Sequence, residues 1–509
     1  MERRTFLKIL SSAGIVSLVS PTFAMEVCKN KVSKSSSALL ESAFRNPPFS
    51  SGVYTWWHWM NGNITKDGIT RDLEAMKANG IAGYQLFEAG SGIPIGPVES
   101  LSDEWVDLIL HTLKESERLG LEFAMHNCPG WSSSGGPWIT PDKAMQIITW
   151  SETKITGGKQ VRIQLPTPKH MFDYYIDTYC LAIPANMKVI PRLSILELSN
   201  RLDKDGVLTW DVPTGEWLIM RFGQTAKDQK NKSAPSKSTG LDCDKFSTEA
   251  LDYHLNCMFK RLMPTMEKIA KHSKIGLLID SYETGDQDWT SDMPVYFEQS
   301  HGYELYPFLP VLANKIVESE ESTKRFLFDF RRVRADMFAE RYYGHFQKRC
   351  KEKGIITYTE PYGGNMMEEL QVAQQLDINM GEFWCGQTVL WANYKYNRTV
   401  KQVASIAHTL GGKVVGAEAF TSEPDADKWL QYPYALKSLG DYMFTRGLSR
   451  IYFHRFAHQP HPTAAPGMTM GAWGLHFDLR AFEKVPAQGG YTLTVPIHGG
   501  NREKHGLSI

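Results

Sequence analysis

Residues 77–88 read KANGIAGYQLFE: a basic helical end, a glycine, then a short apolar run finishing on a carboxylate. The phrase returns as Arg118-Leu-Gly120 before LEFAMHN and Lys351-Glu-Lys-Gly354 before IITYTEP. It returns again as Leu410-Gly-Gly412 before KVVGAEAF and Arg446-Gly447 before LSRIYFHR. Glycine after a basic last turn is the left-handed C-terminal cap of a helix. The apolar runs are too short for helices and too continuous for a sheet with one wet face, so they read as buried parallel strands.

Working outward, candidate strands are 53–59, 81–88, 121–127, 275–283, 355–360, 376–383, 413–420 and 449–455. Eight is the closing number of a (β/α)₈ barrel. Between them, Ile69, Leu73 and Met76 share one helical face, as do Trp105, Leu108, Ile109 and Leu113. Residues 323–353 repeat Phe326, Phe330, Val333, Met337 and Phe346 at mostly helical spacing. The fold class expected is α/β, a TIM-type barrel.

One interval breaks the rhythm. Roughly 145 residues separate the third and fourth strands, far beyond an ordinary crossover. VRIQL, YYIDTYCLAI, VLTWDV and EWLIMRFG read as strands between turn residues, which predicts a β-rich insertion on the catalytic side. Lys227–Thr239 (KDQKNKSAPSKST) reads as a mobile loop, and a helix is expected over about 247–271. The division expected is a leader at 1–24, barrel at 45–144, inserted β-rich domain at 145–245, barrel again at 246–478, and an atypical tail at 479–509.

Composition points to an enzyme without a charge-recruited partner. There are 56 Lys+Arg and 56 Asp+Glu, so no net field attracts nucleic acid or an anionic membrane. Aromatics reach 12%, which mildly favours a sugar substrate, although such rings also fill large cores. Glu2-Arg3-Arg4-Thr5-Phe6-Leu7-Lys8, an apolar stretch from Ile9 to Val19 and Thr22-Phe-Ala24 resemble a twin-arginine export signal. This predicts a periplasmic or extracellular protein without stable membrane insertion. Seven scattered cysteines with no CxxC pair argue against a disulfide framework.

In a barrel the chemistry lies where strands end. Glu283, Glu360, Glu382 and Glu418 end strands of the second half, with no lysine or arginine beside them at these ends, and Glu88 ends the second strand. Convergent glutamates suit glycosidic cleavage, with one carboxylic acid protonating the leaving oxygen and another carboxylate acting as base or nucleophile. Trp57, His58 and Asn61, then His126 and Trp131, then Trp384, His454 and His458 belong to the same rim and are candidate sugar contacts. A transition metal on His454, His458 and His461 would need a helix that Pro460 and Pro462 oppose; a hard cation such as Ca²⁺ among the acidic ends is the better fit.

WWHWMNGNITKDGITRDLEAMKANGIAGYQLFEAG, MHNCPGWSSSGGPW, IDSYETG, GAEAF and YFHRFAHQPH together resemble glycoside hydrolase family 106, the α-L-rhamnosidases, from about Pro47 to Asp478. The resemblance implies an inverting enzyme on a (β/α)₈ domain, a terminal α-L-rhamnosyl substrate and a Ca²⁺ ion near the bound sugar. Carried over by position, Glu283 and Glu418 are the acid and base, with Glu382 the third candidate. Two other readings stay open: a barrel glycosidase of different sugar specificity, and a truncated, inactive carbohydrate-binding form. The latter arises because Gly471–Asp478 runs into LRAFEKVPAQGGYTLTVPIHGGNREKHGLSI where relatives continue with a tryptophan-rich helix, which puts the eighth outer helix in doubt.

Overall fold

A computed structural model gives the fold. It describes residues 34–468 except 91, 386–388, 413, 423–432, 462 and 465–466. The expected export signal and the 479–509 tail fall outside the described residues, as does any segment that would form an eighth outer helix.

Eight parallel strands close into a barrel. They are β1 (Val53–Met60), β2 (Ile81–Ala89), β3 (Glu122–His126), β4 (Ile275–Ile279), β5 (Ile356–Thr359), β6 (Ile378–Cys385), β7 (Val415–Ser422) and β8 (Arg450–Ala457). Each pairs with its sequence neighbours, and β8 closes on β1 through Tyr54↔Tyr452 and His58↔Ala457. The glycine stops are visible in the backbone. Gly80, Gly120, Gly354, Gly411 and Gly447 all have positive φ, which a Cβ would oppose.

Helix α1 (Lys66–Ala78) starts where the Thr65 side chain accepts from the Gly68 amide; α2 (Asp103–Leu119) is capped likewise by Ser102. The apolar faces read from sequence are buried, Ile69, Leu73 and Met76 on α1 and Trp105, Leu108, Ile109 and Leu113 on α2. Two expectations change in detail. The helix at 247–271 is two, Thr248–Phe259 and Met263–Ala270, with Pro264 in the first turn of the second. The segment 323–353 is interrupted by a π-helical turn at Phe338–Gly344, between α-helices Glu320–Met337 and His345–Lys351. Among the described residues no helix is long and apolar enough to cross a membrane.

Between β3 and β4 the chain forms antiparallel sheets. Gln146–Thr156, Glu216–Ala226 and Ile176–Pro184 pair in that spatial order, and Lys159–Gln164 pairs with Val207–Val212. Leu165, Cys180, Leu208, Trp210 and Ile219 form their own core. The strand 146–156 is tied to the chain after β4, since the Ile148 amide donates to Asp288 Oδ1 at 2.9 Å.

The segment 227–239, expected to be mobile, is docked. Asn231 is buried and its Nδ2 donates to Pro129 O at 3.0 Å. The Trp131 amide bonds Lys232 O at 3.1 Å, and the Gly90 amide bonds Ser233 O at 2.8 Å. A Cβ on Gly130 would stand 2.1 Å from Lys232 O, so that crossing needs glycine. Polar composition predicted solvent; the polar groups are instead satisfied by the backbone of the loops after β2 and β3.

Candidate active site

A cavity of about 1110 Å³ opens at the C-terminal ends of the strands. One wall is acidic. Asp280 follows β4, Glu360 follows β5, Glu382 lies on β6 and Glu418 on β7, so four consecutive strands each deliver a buried carboxyl.

Register separates them into two levels. Glu382 and Glu418 are direct partners across β6 and β7. Below them, Ile279 pairs with Thr359 and Thr359 with Asn379, so Asp280 and Glu360 sit about two residues, roughly 6–7 Å, deeper. Tyr362 donates to Glu360 Oε2 at 2.5 Å. Burial first, then the charge of neighbouring carboxyls, holds Glu360 and Glu418 well above the usual carboxylate range; burial also lifts Asp280.

The upper pair is held by donors. Trp384 Nε1 donates to Glu382 Oε1, and Thr421 Oγ1 donates to Glu418 Oε1. The second contact depends on a bulge. Phe383 pairs with Ala419 but Trp384 with Thr421, leaving Phe420 as an extra residue with φ +62°. A regular strand would turn residue 421 to the opposite face from 418; the bulge brings both to one face. His454 Nδ1 lies 3.7 Å from Glu418 Oε1, and Arg455, buried beside it, is pushed down to about 9 by desolvation despite the Glu418 charge.

The other wall is aromatic. Trp56 stacks on Phe87 with centroids 4.3 Å apart, His58 stacks on Phe87 at 5.3 Å, and His454 meets the Trp56 ring edge-on at 5.2 Å. Glu283 stands nearer solvent. It lies four residues past the end of β4 instead of on the strand, its side chain is 38% exposed, and Lys232 Nζ approaches at 3.3 Å.

Of the sequence-derived candidates, Glu283, Glu382, Glu418, His58, Trp131, Trp384 and His454 line this cavity. Six do not, and each has a physical reason. Trp57 alternates outward from Trp56, and its Nε1 donates to Asp72 Oδ2 at 3.1 Å in the helix layer. His458 is fully buried on the same carboxylate, Nδ1 to Asp72 Oδ2 at 2.7 Å, while its Nε2 accepts from the Thr65 amide at 3.2 Å. Glu88 also points to the helix side, where Ser100 Oγ donates to it at 2.7 Å. Burial pushes Glu88 up to about 7. His126 is stacked under Phe87 with Nδ1 on Cys128 O at 2.8 Å, and burial pushes it down to about 4. Asn61 shapes the loop, donating to Ile93 O at 2.6 Å, and Glu360 lies in the deeper level.

Three groups are not singled out by the sequence. Asp280 directly follows the apolar run of IDSYETG; Arg455 lies inside YFHRFAH; Lys232 comes from a polar loop docked at the rim, 51 positions before the Glu283 it meets. The fold brings in cations that the strand ends themselves lack: Lys232 meets Glu283, and Arg455 shares the mouth with Glu418. Among the described residues no group of three or more His, Cys, Asp or Glu is arranged to hold a metal ion.

Comparison with known proteins adds three findings. The sequence profile of glycoside hydrolase family 106, described as alpha-L-rhamnosidase, matches residues 45–177 and 169–482. A protein of Formosa agariphila with the provisional name beta-glucuronidase is 40% identical over 470 residues, covering 86% of this chain and 40% of that protein. The solved rhamnosidase from Novosphingobium sp. PP1Y superposes with a TM-score of 0.76 at 24% identity, covering 86% of this chain and 58% of that one. The chain thus spans less than two thirds of either relative, and the structural likeness concerns the fold.

Proposed function

The chain belongs to glycoside hydrolase family 106, the α-L-rhamnosidase family, and we propose that it hydrolyses terminal α-L-rhamnosyl residues of plant or bacterial glycans by an inverting acid–base mechanism. The observation that supports this most is the pairing, in one cavity, of a buried carboxyl on β7 with a rim carboxyl after β4, opposite an aromatic wall.

In this mechanism Glu283 is the general acid. It stands at the mouth, where an aglycone departs, and gives its proton to the glycosidic oxygen as the C–O bond breaks. Glu418 is the general base. It takes a proton from a water that attacks the anomeric carbon from the opposite face, and the Thr421 hydrogen bond and the Arg455 charge oppose the burial and the Glu382 charge that raise its pKa. Glu382 positions sugar hydroxyls or the water beside Glu418. Inversion requires the acid and base carboxyls about 6.5–9.5 Å apart, against roughly 5–5.5 Å for a retaining pair. The test is turnover of an aryl α-L-rhamnoside with the first-formed anomer read by NMR. Release of β-L-rhamnose supports the proposal; α-L-rhamnose or equal residual activity in Glu283→Gln, Glu418→Gln and wild type removes it.

A second reading, a barrel glycosidase for another sugar, is favoured by the provisional name of the Formosa agariphila relative. Parallel assay of an aryl β-glucuronide separates the two. Calcium is suggested by the acidic strand ends and by the family resemblance. Among the described residues no group of three or more His, Cys, Asp or Glu is arranged as a ligand set for it, no step here passes through it, and activity after chelation, with and without Ca²⁺ restored, decides its part. We further propose that residues 145–245 act as one β-rich unit inserted in the barrel, and that the protein is exported.

A further inference from the structure

A second cavity lies on the antiparallel sheets. It measures about 410 Å³ and is lined by Trp150, Lys169, His170, Met171, Lys227 and Asp228, among others. That is within the usual range of ligand cavities, roughly 300–1,000 Å³. Its chemistry is mixed in the way sugar sites are. Trp150 is half-buried, its ring held against Phe222 with centroids 6.1 Å apart, and Met171 is exposed beside it. The polar groups are mostly basic. Lys169 and His170 are exposed and carry no ion pair among the described residues, while Asp228 meets only Lys230, at 3.7 Å.

The two cavities are linked through the short stretch of chain after Glu283. Thr284 lines the main cavity, and Lys227 of the second cavity donates to Asp286 O at 2.5 Å. Between them sits Gly285, where even a Cβ would approach Lys227 Nζ to 2.7 Å. The bond from the Ile148 amide to Asp288 fixes the groove against the loop that carries Glu283.

We propose that this groove is a distal subsite that holds an acidic sugar unit, a uronate, of the same glycan whose terminal residue occupies the main cavity. Trp150 and Met171 offer apolar surface to a pyranose ring, and Lys169, Lys227 and His170 face its carboxylate. The proposal rests on the glycosidase reading of the main cavity, and the experiment keeps the two apart.

The substrates are an aryl α-L-rhamnoside, which fills the main cavity alone, and a rhamnose-terminated oligosaccharide containing uronates, assayed before and after carboxyl reduction. Wild type should favour the native oligosaccharide over its reduced form. Lys169→Ala should lower kcat/KM on the native form about tenfold, abolish that preference and leave the aryl rhamnoside unchanged, a tenfold change being about 1.4 kcal/mol. Trp150→Ala should weaken both oligosaccharides. Equal losses on all three substrates, or no loss with Lys169→Ala, would overturn the subsite. If wild type cleaves none of them, the glycosidase reading has failed; tryptophan fluorescence then decides the groove. Saturable oligosaccharide binding lost in Lys169→Ala supports it, and absence of binding overturns it.

Discussion

Glu382 and Glu418 face each other as register partners on adjacent parallel strands, and each is gripped by a donor from its own strand, Trp384 Nε1 and Thr421 Oγ1. Two carboxyls on neighbouring strands at about 4.7–4.9 Å strand spacing cannot both ionise cheaply once buried. The partner that completes an inverting pair has to come from farther off, and in the proposed mechanism that partner is the rim residue Glu283 after β4. The bulge at Phe420 is what turns Thr421 toward Glu418.

Replacing the rim acid should show a leaving-group signature. Glu283→Gln is expected to lower kcat/KM by about 10²–10⁴ on a rhamnoside with a poor leaving group, the range of a general-acid contribution. On a dinitrophenyl rhamnoside, which needs no protonation to depart, the loss should be far smaller. Equal losses on both substrates would assign Glu283 another role.

Thr421→Val removes the hydrogen bond that lowers the Glu418 pKa, leaving burial and the Glu382 charge to raise it. A base must be ionised, so activity is lost as pH falls through its pKa. The acid limb of the kcat/KM profile should therefore move to higher pH in Thr421→Val, with folding unaltered by circular dichroism. A limb that stays in place or moves down would argue that Glu418 is not the base.

The barrel was legible because helix-stopping glycines and continuous apolar strands are local signals, and all five glycine stops hold a left-handed or positive φ. The mouth was legible in outline because strand ends are where inward side chains reach solvent. Side-chain direction was not. Both faces of a barrel strand are buried, so Trp56 and Trp57, or Phe87 and Glu88, look alike in sequence while period-two alternation sends one to the cavity and the other to the helices. The cations were illegible for another reason. Lys232 reaches Glu283 only because a lysine-rich loop docks across the rim.

His458 is expected to be structural. With Asp72 it clamps the chain after β8 onto α1, and Trp57 Nε1 and the Gln459 amide share the same carboxylate oxygen. Because Nε2 accepts from the Thr65 amide the ring is neutral, and removing one partner of such a buried hydrogen bond to a carboxylate costs about 1–3 kcal/mol. His458→Ala and Asp72→Ala should each lower stability to that extent in urea unfolding, with kcat per folded molecule retained. Full stability with lost activity would return His458 to the sugar site.

Glu88 makes stability depend on pH. Burial raises it from 4.5 to about 7, opposed by the Ser100 hydrogen bond, so the native state holds a proton that the unfolded chain releases. Its contribution is fully present below pH about 4.5 and is lost as pH rises through about 7, amounting to roughly 3 kcal/mol at about 1.4 kcal/mol per unit. Glutamine cannot ionise there. Glu88→Gln should therefore flatten the pH dependence of unfolding free energy between about pH 4.5 and pH 7, whatever its absolute stability. The same slope in mutant and wild type would mean that Glu88 titrates like an exposed carboxylate and that its pocket behind β2 admits water.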